Sequence, residues 1–138
     1  MKVGFTRGVY DLFHIGHLNL LRNAKSLCDK LIVGVKTDDF TSQTKKKPVI
    51  AFNERLDIVR SCKYVDLAIP CDTFDFVELQ KKLKFDVVFV GDDWFGSDRF
   101  SEMEEKLKPL GVEIVYLPRT QSTSSSLLTS VLKSIGEQ

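Results

Sequence analysis

The chain has 138 residues, 43% hydrophobic and 28% charged, with a formal net charge of +1 at pH 7. This is the balance of an ordinary globular domain, read as a single unit over residues 1–138, and it leaves no bulk electrostatic case for a nucleic-acid partner; any anion site must be local. No apolar run approaches the ~18 residues of a membrane span, the amino terminus leads straight into a strand-like segment, and three scattered cysteines without a CxxC suggest neither disulfides nor zinc, so a reduced cytoplasmic protein is expected.

In chain order, "KVGFTRG" (2–8) opens as a strand. "HLNLLRNAKSL" (17–27) puts Leu18, Leu21, Ala24 and Leu27 on one helical face. "LIVGVKT" (31–37) is a second strand, followed by the polar, lysine-bearing loop "DDFTSQTKKKPVIA" (38–51). "NERLDIVRSC" (53–62) reads as a helix with Asn53 as its N-cap, and with Leu56, Val59 and Arg60 at helical spacing. A shorter strand, "VDLAIP" (65–70), precedes "FDFVELQKKLK" (74–84), a helix whose basic end suits its dipole. "DVVFVG" (86–91) is a strand, "FSEMEEKLKPLG" (100–111) a helix stopped by Pro109 and Gly111, "VEIVYLP" (112–118) the fifth strand, and "SSSLLTSVLKSI" (124–135) a closing helix.

Strand and helix thus alternate five times. The pattern predicts an α/β fold, a doubly wound five-stranded parallel sheet of Rossmann-like type with helices on both faces. Ligands of such sheets sit beyond the carboxyl ends of the strands, where the strand order reverses. The chemically interesting residues fall at those ends. His14 and His17, the whole histidine complement, follow the first strand; Lys45, Lys46 and Lys47 follow the second; Asp92, Asp93 and Trp94 the fourth; Arg119 and Thr120 the fifth. His17 lies in the first turn of a helix, where unpaired N–H groups and the positive dipole end favour an anion, and Gly16 permits close backbone approach. Two imidazoles there can donate to phosphate oxygens; the plainer readings are a core or capping residue for His14 and a helix-end residue for His17, and a metal site lacks a third ligand nearby in sequence. Neither GxxxxGK[ST] nor GxGxxG is present, so a nucleotide would have to be held by the histidine device.

"HIGH" (14–17), preceded by "GVYDLF", resembles the HxGH signature of the nucleotidyltransferase superfamily. "RTQSTSSS" (119–126) is similar to the RTxGxSTT segment of its cytidylyltransferase branch, and "GDDW" (91–94) and "KYVD" (63–66) look like further counterparts, so the likeness runs from Val3 to about Leu128. It is strongest to the bacterial glycerol-3-phosphate cytidylyltransferases. Val9 stands where that branch usually has threonine, Lys63 where it has arginine, Ser122 where it has glycine and Thr123 where it has isoleucine. Lys63 keeps the charge but loses the two-pronged fork.

The resemblance implies transfer of a cytidylyl group from CTP to a phosphorylated alcohol, glycerol 3-phosphate first, giving a CDP-alcohol for cell-wall, capsule or lipid precursors, and pyrophosphate. Ethanolamine, choline or sugar-alcohol phosphates offer the same attacking group, and an adenylyltransferase of the same superfamily or a non-catalytic nucleotide-binding module are the other readings. On this pattern His14, His17, Lys46 and Arg119 are the catalytic candidates. Gly8, Val9, Tyr10, Asp11, Gly16, Asp92, Asp93, Trp94, Thr120, Thr123, Ser124 and Ser125 would bind the nucleotide, and Asp11, Asp38, Arg55 and Lys63 the acceptor. Residue by residue, plainer readings stand beside these: a solvated charge run for the lysines, N-capping for Ser124 and Ser125, core for Trp94, and a solvated helix position for Arg55. No metal-ligating residues are assigned; Mg²⁺ is expected on the triphosphate, held by phosphate oxygens and water. The family resemblance also implies a homodimer, with "KYVD" in the region of its interface.

Overall fold

The computed structural model describes residues 1–39, 47–73, 75–91, 95–118 and 130–133. Five strands, β1 (Val3–Gly8), β2 (Lys30–Lys36), β3 (Leu67–Cys71), β4 (Val87–Gly91) and β5 (Glu113–Leu117), form one sheet in the order β3-β2-β1-β4-β5, with every pairing parallel. Between them run α1 (Ile15–Ser26), α2 (Phe52–Arg60), α3 (Phe76–Leu83) and α4 (Asp98–Leu107). The strand order reverses between β1 and β4, so the crevice predicted for ligand lies beyond the carboxyl ends of these two strands.

Alternation along the strands divides the core into two layers. Phe5, Ile32, Val88 and Ile114 pack under Phe76 and Leu79 of α3 and Phe100 and Leu107 of α4. Leu31, Val33, Val35, Val87 and Phe89 pack under Leu21 and Ala24 of α1 and Leu56 and Val59 of α2. The doubly wound architecture read from the sequence is therefore the one observed. Of the expected closing helix, only residues 130–133 are among those described, and these are helical.

Local chemistry sets the boundaries. Asp75 caps α3 by accepting from the N–H groups of Val77 and Glu78, and Lys84 ends it in the left-handed region. Ser97 caps α4, which tightens into a 3₁₀ turn at Lys108–Leu110 and stops at Gly111, whose φ of 74° suits glycine. The N-cap of α2 is Ala51 and not Asn53, and no side chain caps it. Leu27, expected on the buried face of α1, is its exposed C-cap. β3 starts at Leu67, directly after Asp66 at the amino edge of the sheet. Its carboxylate accepts from the Leu31 N–H (2.7 Å) and from the Lys25 ammonium (2.6 Å), joining α1, β2 and β3 there.

Candidate active site

The segment between β1 and α1 carries the histidines. Its backbone enters the left-handed region twice at non-glycine residues, Tyr10 (φ 55°) and Leu12 (φ 50°). Such residues cost on the order of 1–3 kcal/mol each and persist only where their surroundings hold them. Tyr10 is held by burial: its ring packs with Leu21, Val35 and Phe89, its hydroxyl bonds the Thr6 hydroxyl, and Thr6 in turn donates to the Phe89 carbonyl (2.9 Å). Burial pushes the Tyr10 phenol up, so it stays neutral. A Cβ at Gly8 would come 3.1 Å from the Tyr10 ring, which explains glycine at the last position of β1.

His14 is the N-cap of α1 and His17 its third residue, and the two form a reciprocal capping box made of imidazoles. The Gly16 N–H donates to His14 Nδ1 (3.0 Å), and the His14 N–H donates to His17 Nδ1 (3.2 Å). A ring nitrogen that accepts a hydrogen bond is unprotonated, so each neutral imidazole carries its proton on Nε2. The rings stack with centroids 4.0 Å apart, and Tyr10 and Phe13 both lie 5.3 Å from the His17 ring. Burial, reinforced by the adjacent His14 and only partly opposed by Asp11, lowers His17 to a pKa of about 4. At neutral pH His17 is therefore an uncharged Nε2–H donor. The capping and anion-binding readings are compatible, since capping uses Nδ1 and puts the proton on Nε2 of each ring.

Asp11 spans from this loop to the far end of the lysine segment. Its two carboxylate oxygens accept from the Val49 N–H (2.8 Å) and the Ile50 N–H (2.9 Å). Asp38, just after β2, accepts from the Phe52 N–H (3.3 Å) and pairs with Arg55 (2.6 Å). Arg55 is not the solvated helix residue that spacing allowed. It is 0% exposed, with Nε donating to the Ile50 carbonyl (2.9 Å) and Nη1 to the carbonyls of Val9 (2.6 Å) and Lys36 (2.9 Å). Nothing in the helical period of residues 53–62 announced this; a charged residue directly before the apolar Leu56 was the only available signal.

Gly8, Val9, Tyr10, Asp11, His14, Gly16, His17, Asp38 and Arg55 thus come together around the carboxyl ends of β1 and β2. Lys63 shares a groove with Phe13, the residue before His14. Its ammonium lies 5.2 Å from the Tyr64 ring, in a groove of about 430 Å³ between α1 and α2, lined also by Phe13, Leu18, Arg22, Ile58, Ser61 and Cys62. Lys47 is described and exposed. Lys45, Lys46, Asp92, Asp93, Trp94, Arg119, Thr120, Ser122, Thr123, Ser124 and Ser125 lie outside the described residues. Among the described residues no group of three His, Cys, Asp or Glu side chains is arranged to hold a metal ion, and no helix is long and apolar enough to cross a membrane.

A parallel sheet with imidazole donors at the rim, beside the point where strand order reverses, defines a nucleotidyltransferase-type α/β protein. The chain belongs to the cytidylyltransferase-like family, whose model matches residues 5–130. The glycerol-3-phosphate cytidylyltransferase of Bacillus subtilis (strain 168) is 37% identical over 131 residues, covering 91% of this chain and 93% of the relative. An FAD synthase of Pyrococcus abyssi (strain GE5 / Orsay) is 34% identical over 134 residues, covering 94% and 89% respectively. Among solved structures, the lipopolysaccharide core biosynthesis protein of Thermoplasma volcanium GSS1 matches with a TM-score of 0.73 and 27% identity, over 89% of this chain and 99% of that one.

Proposed function

We propose that this chain transfers the cytidylyl group of CTP to a phosphorylated alcohol, glycerol 3-phosphate first among them, releasing pyrophosphate. A phosphate oxygen of the acceptor attacks the α-phosphorus in line. The new P–O bond forms as the bond to the bridging oxygen breaks, and pyrophosphate leaves with that electron pair. The nucleophile is already an anion, so no general base and no covalent intermediate are required. What the protein must supply is alignment and donors for charge gathering on the α-phosphoryl oxygens and the leaving group.

The observation that carries this reading is the tautomer of the histidine pair. Two adjacent imidazoles, both fixed as Nε2–H donors by their own helix cap, form an electrostatic device for phosphate oxygens. Because burial keeps His17 neutral, the pair donates hydrogen bonds without the like-charge repulsion of two stacked imidazolium rings. The family resemblance assigns Arg119 and one lysine of Lys45–Lys47, Lys46 first, to the triphosphate; Asp92, Asp93, Trp94, Thr120, Thr123, Ser124 and Ser125 would complete the nucleotide site. Mg²⁺ would enter with CTP to offset its charge, bound by phosphate oxygens and water, which suits a chain whose nearby Asp11 and Asp38 carboxylates are engaged by backbone N–H groups and Arg55. A cytoplasmic location suits this reading, as do three cysteines present as thiols.

The test is pyrophosphate release from CTP with a panel of glycerol, ethanolamine, choline and sugar-alcohol phosphates. Turnover is expected with CTP and at least one of these, and His14→Ala should lower kcat by roughly 10²-fold or more. The FAD synthase relative supports a second reading, adenylyl transfer from ATP to a flavin phosphate. Turnover with ATP and FMN, but with no CTP pair, would replace the first reading by the second. The groove between α1 and α2 also supports the homodimer implied by the family, since it presents Phe13, Leu18, Ile58 and Tyr64 to a partner.

A further inference from the structure

We propose that Arg55 is a positioning residue that locks the histidine loop, the end of β2 and the far end of the lysine segment to one another, and that it does not bind the acceptor phosphate. A guanidinium has five N–H groups. Four of them are committed, one each to the carbonyls of Ile50, Val9 and Lys36 and one to the Asp38 carboxylate. The side chain is 0% exposed, and its ion-pair partner Asp38 is 37% exposed. An incoming phosphate would therefore have to reach a fully buried cation that retains at most one N–H, and would meet the Asp38 carboxylate on its way.

Three of the four acceptors are main-chain carbonyls from three separate segments, and that is the signature of a brace. The Val9 carbonyl lies directly before Tyr10, the first left-handed residue of the histidine loop, so the brace bears on the peptide that most needs holding. Asp11 completes it from the opposite side. Ile50 is gripped at both ends of its residue, its N–H by Asp11 and its carbonyl by Arg55. The histidine loop and the Val49–Ile50 strip thus move together or not at all. For phosphoryl transfer, where a displacement of about 1 Å can cost about 10²-fold, such a lock acts on rate more than on affinity. Lysine cannot replace it, because a point charge with rotating donors does not reproduce a planar fork reaching three segments.

The kinetic part of the test rests on the function proposed above, and a second part does not. Wild type, Arg55→Lys and Asp38→Asn would be compared in CTP turnover with glycerol 3-phosphate and, separately, in hydrogen exchange at the Val49 and Ile50 amides. Arg55→Lys is expected to lower kcat about 100-fold, to change the acceptor KM less than about threefold, and to speed exchange at both amides about tenfold or more. Asp38→Asn should show the same pattern more weakly, and decides the matter if Arg55→Lys does not fold. A rise of about tenfold in acceptor KM with kcat and amide exchange unchanged would make Arg55 an acceptor ligand and overturn the proposal. So would wild-type exchange at Val49 and Ile50 in both variants. If the wild type turns over no CTP pair, the function fails, while the exchange measurement still decides whether Arg55 is the brace.

Discussion

At the scale of single residues, His17 shows how structure fixes one tautomer of a common side chain and suppresses its charge. Its Nδ1 is used by the helix cap and its ring is enclosed by His14, Tyr10 and Phe13, so the proton sits on Nε2 and the charge is suppressed. This has a consequence for stability. The unfolded chain protonates His17 near pH 6.5, whereas the folded chain resists until about pH 4. Between these values the unfolded state binds more protons, so stability is full above pH 6.5 and declines as pH falls toward 4, by roughly 3 kcal/mol from this one group. Urea denaturation at pH 7 and pH 4.5 should therefore show wild type losing about 2 kcal/mol more than His17→Gln. Parallel losses in the two proteins would mean that His17 titrates normally in the fold.

At the scale of elements, strands and loops have divided the work. The strands set spacing and the loops carry the candidate site residues, and two of the three left-handed non-glycine residues among those described, Tyr10 and Leu12, lie in the loop between β1 and α1 while β1 itself is tightly fitted. Gly4 measures that fit. A Cβ there would stand 2.5 Å from Phe89 Cε2 and 2.9 Å from Cys28 Sγ, closer than side-chain atoms approach. Phe89 is buried between the sheet and α1 and has little room to withdraw. Gly4→Ala should lower stability by about 1–3 kcal/mol in urea titration. Because Gly4 lies toward the amino edge of β1, turnover per folded molecule should stay near wild type. An unchanged midpoint would show that Phe89 yields more readily than its packing implies. The brace through Arg55 belongs to the same scale, since it ties the Ile50 carbonyl, outside the sheet, to the paired ends of β1 and β2.

At the scale of the whole molecule, the groove between α1 and α2 adjoins the histidine loop through Phe13. The histidine loop, Asp38 and Arg55 gather near the carboxyl ends of β1 and β2, and Lys63 lies beside Tyr64 in the groove between α1 and α2. A groove with Ile58 43% exposed is a natural seat for a second copy of the chain. In sedimentation equilibrium the protein should have twice the chain mass, and Ile58→Asp should shift it toward the monomer. A monomeric wild type at micromolar concentration would remove the groove from that role.

The alternating order of five strands and their helices was legible because burial on both faces writes continuous apolar runs, and because helical faces repeat every three to four residues. The histidine pair was legible because it stands at a strand end in a recognised motif. Helix boundaries were less so: Ala51 caps α2 without any side-chain bond, so Asn53 was the more visible candidate. The fate of Arg55 was hidden for a deeper reason. Helical period reports which way a side chain leaves its own helix, but its partners Val9, Lys36, Asp38 and Ile50 arrive from elements that only the folded sheet brings together. The sequence by itself determined the fold class, the strand ends at which the histidines lie and the family. Tertiary structure alone decided which nitrogens of the histidines are donors, that Arg55 is buried and that Lys63 lies beside Tyr64 in the groove between α1 and α2, because hydrogen bonding and burial depend on how separate segments pack.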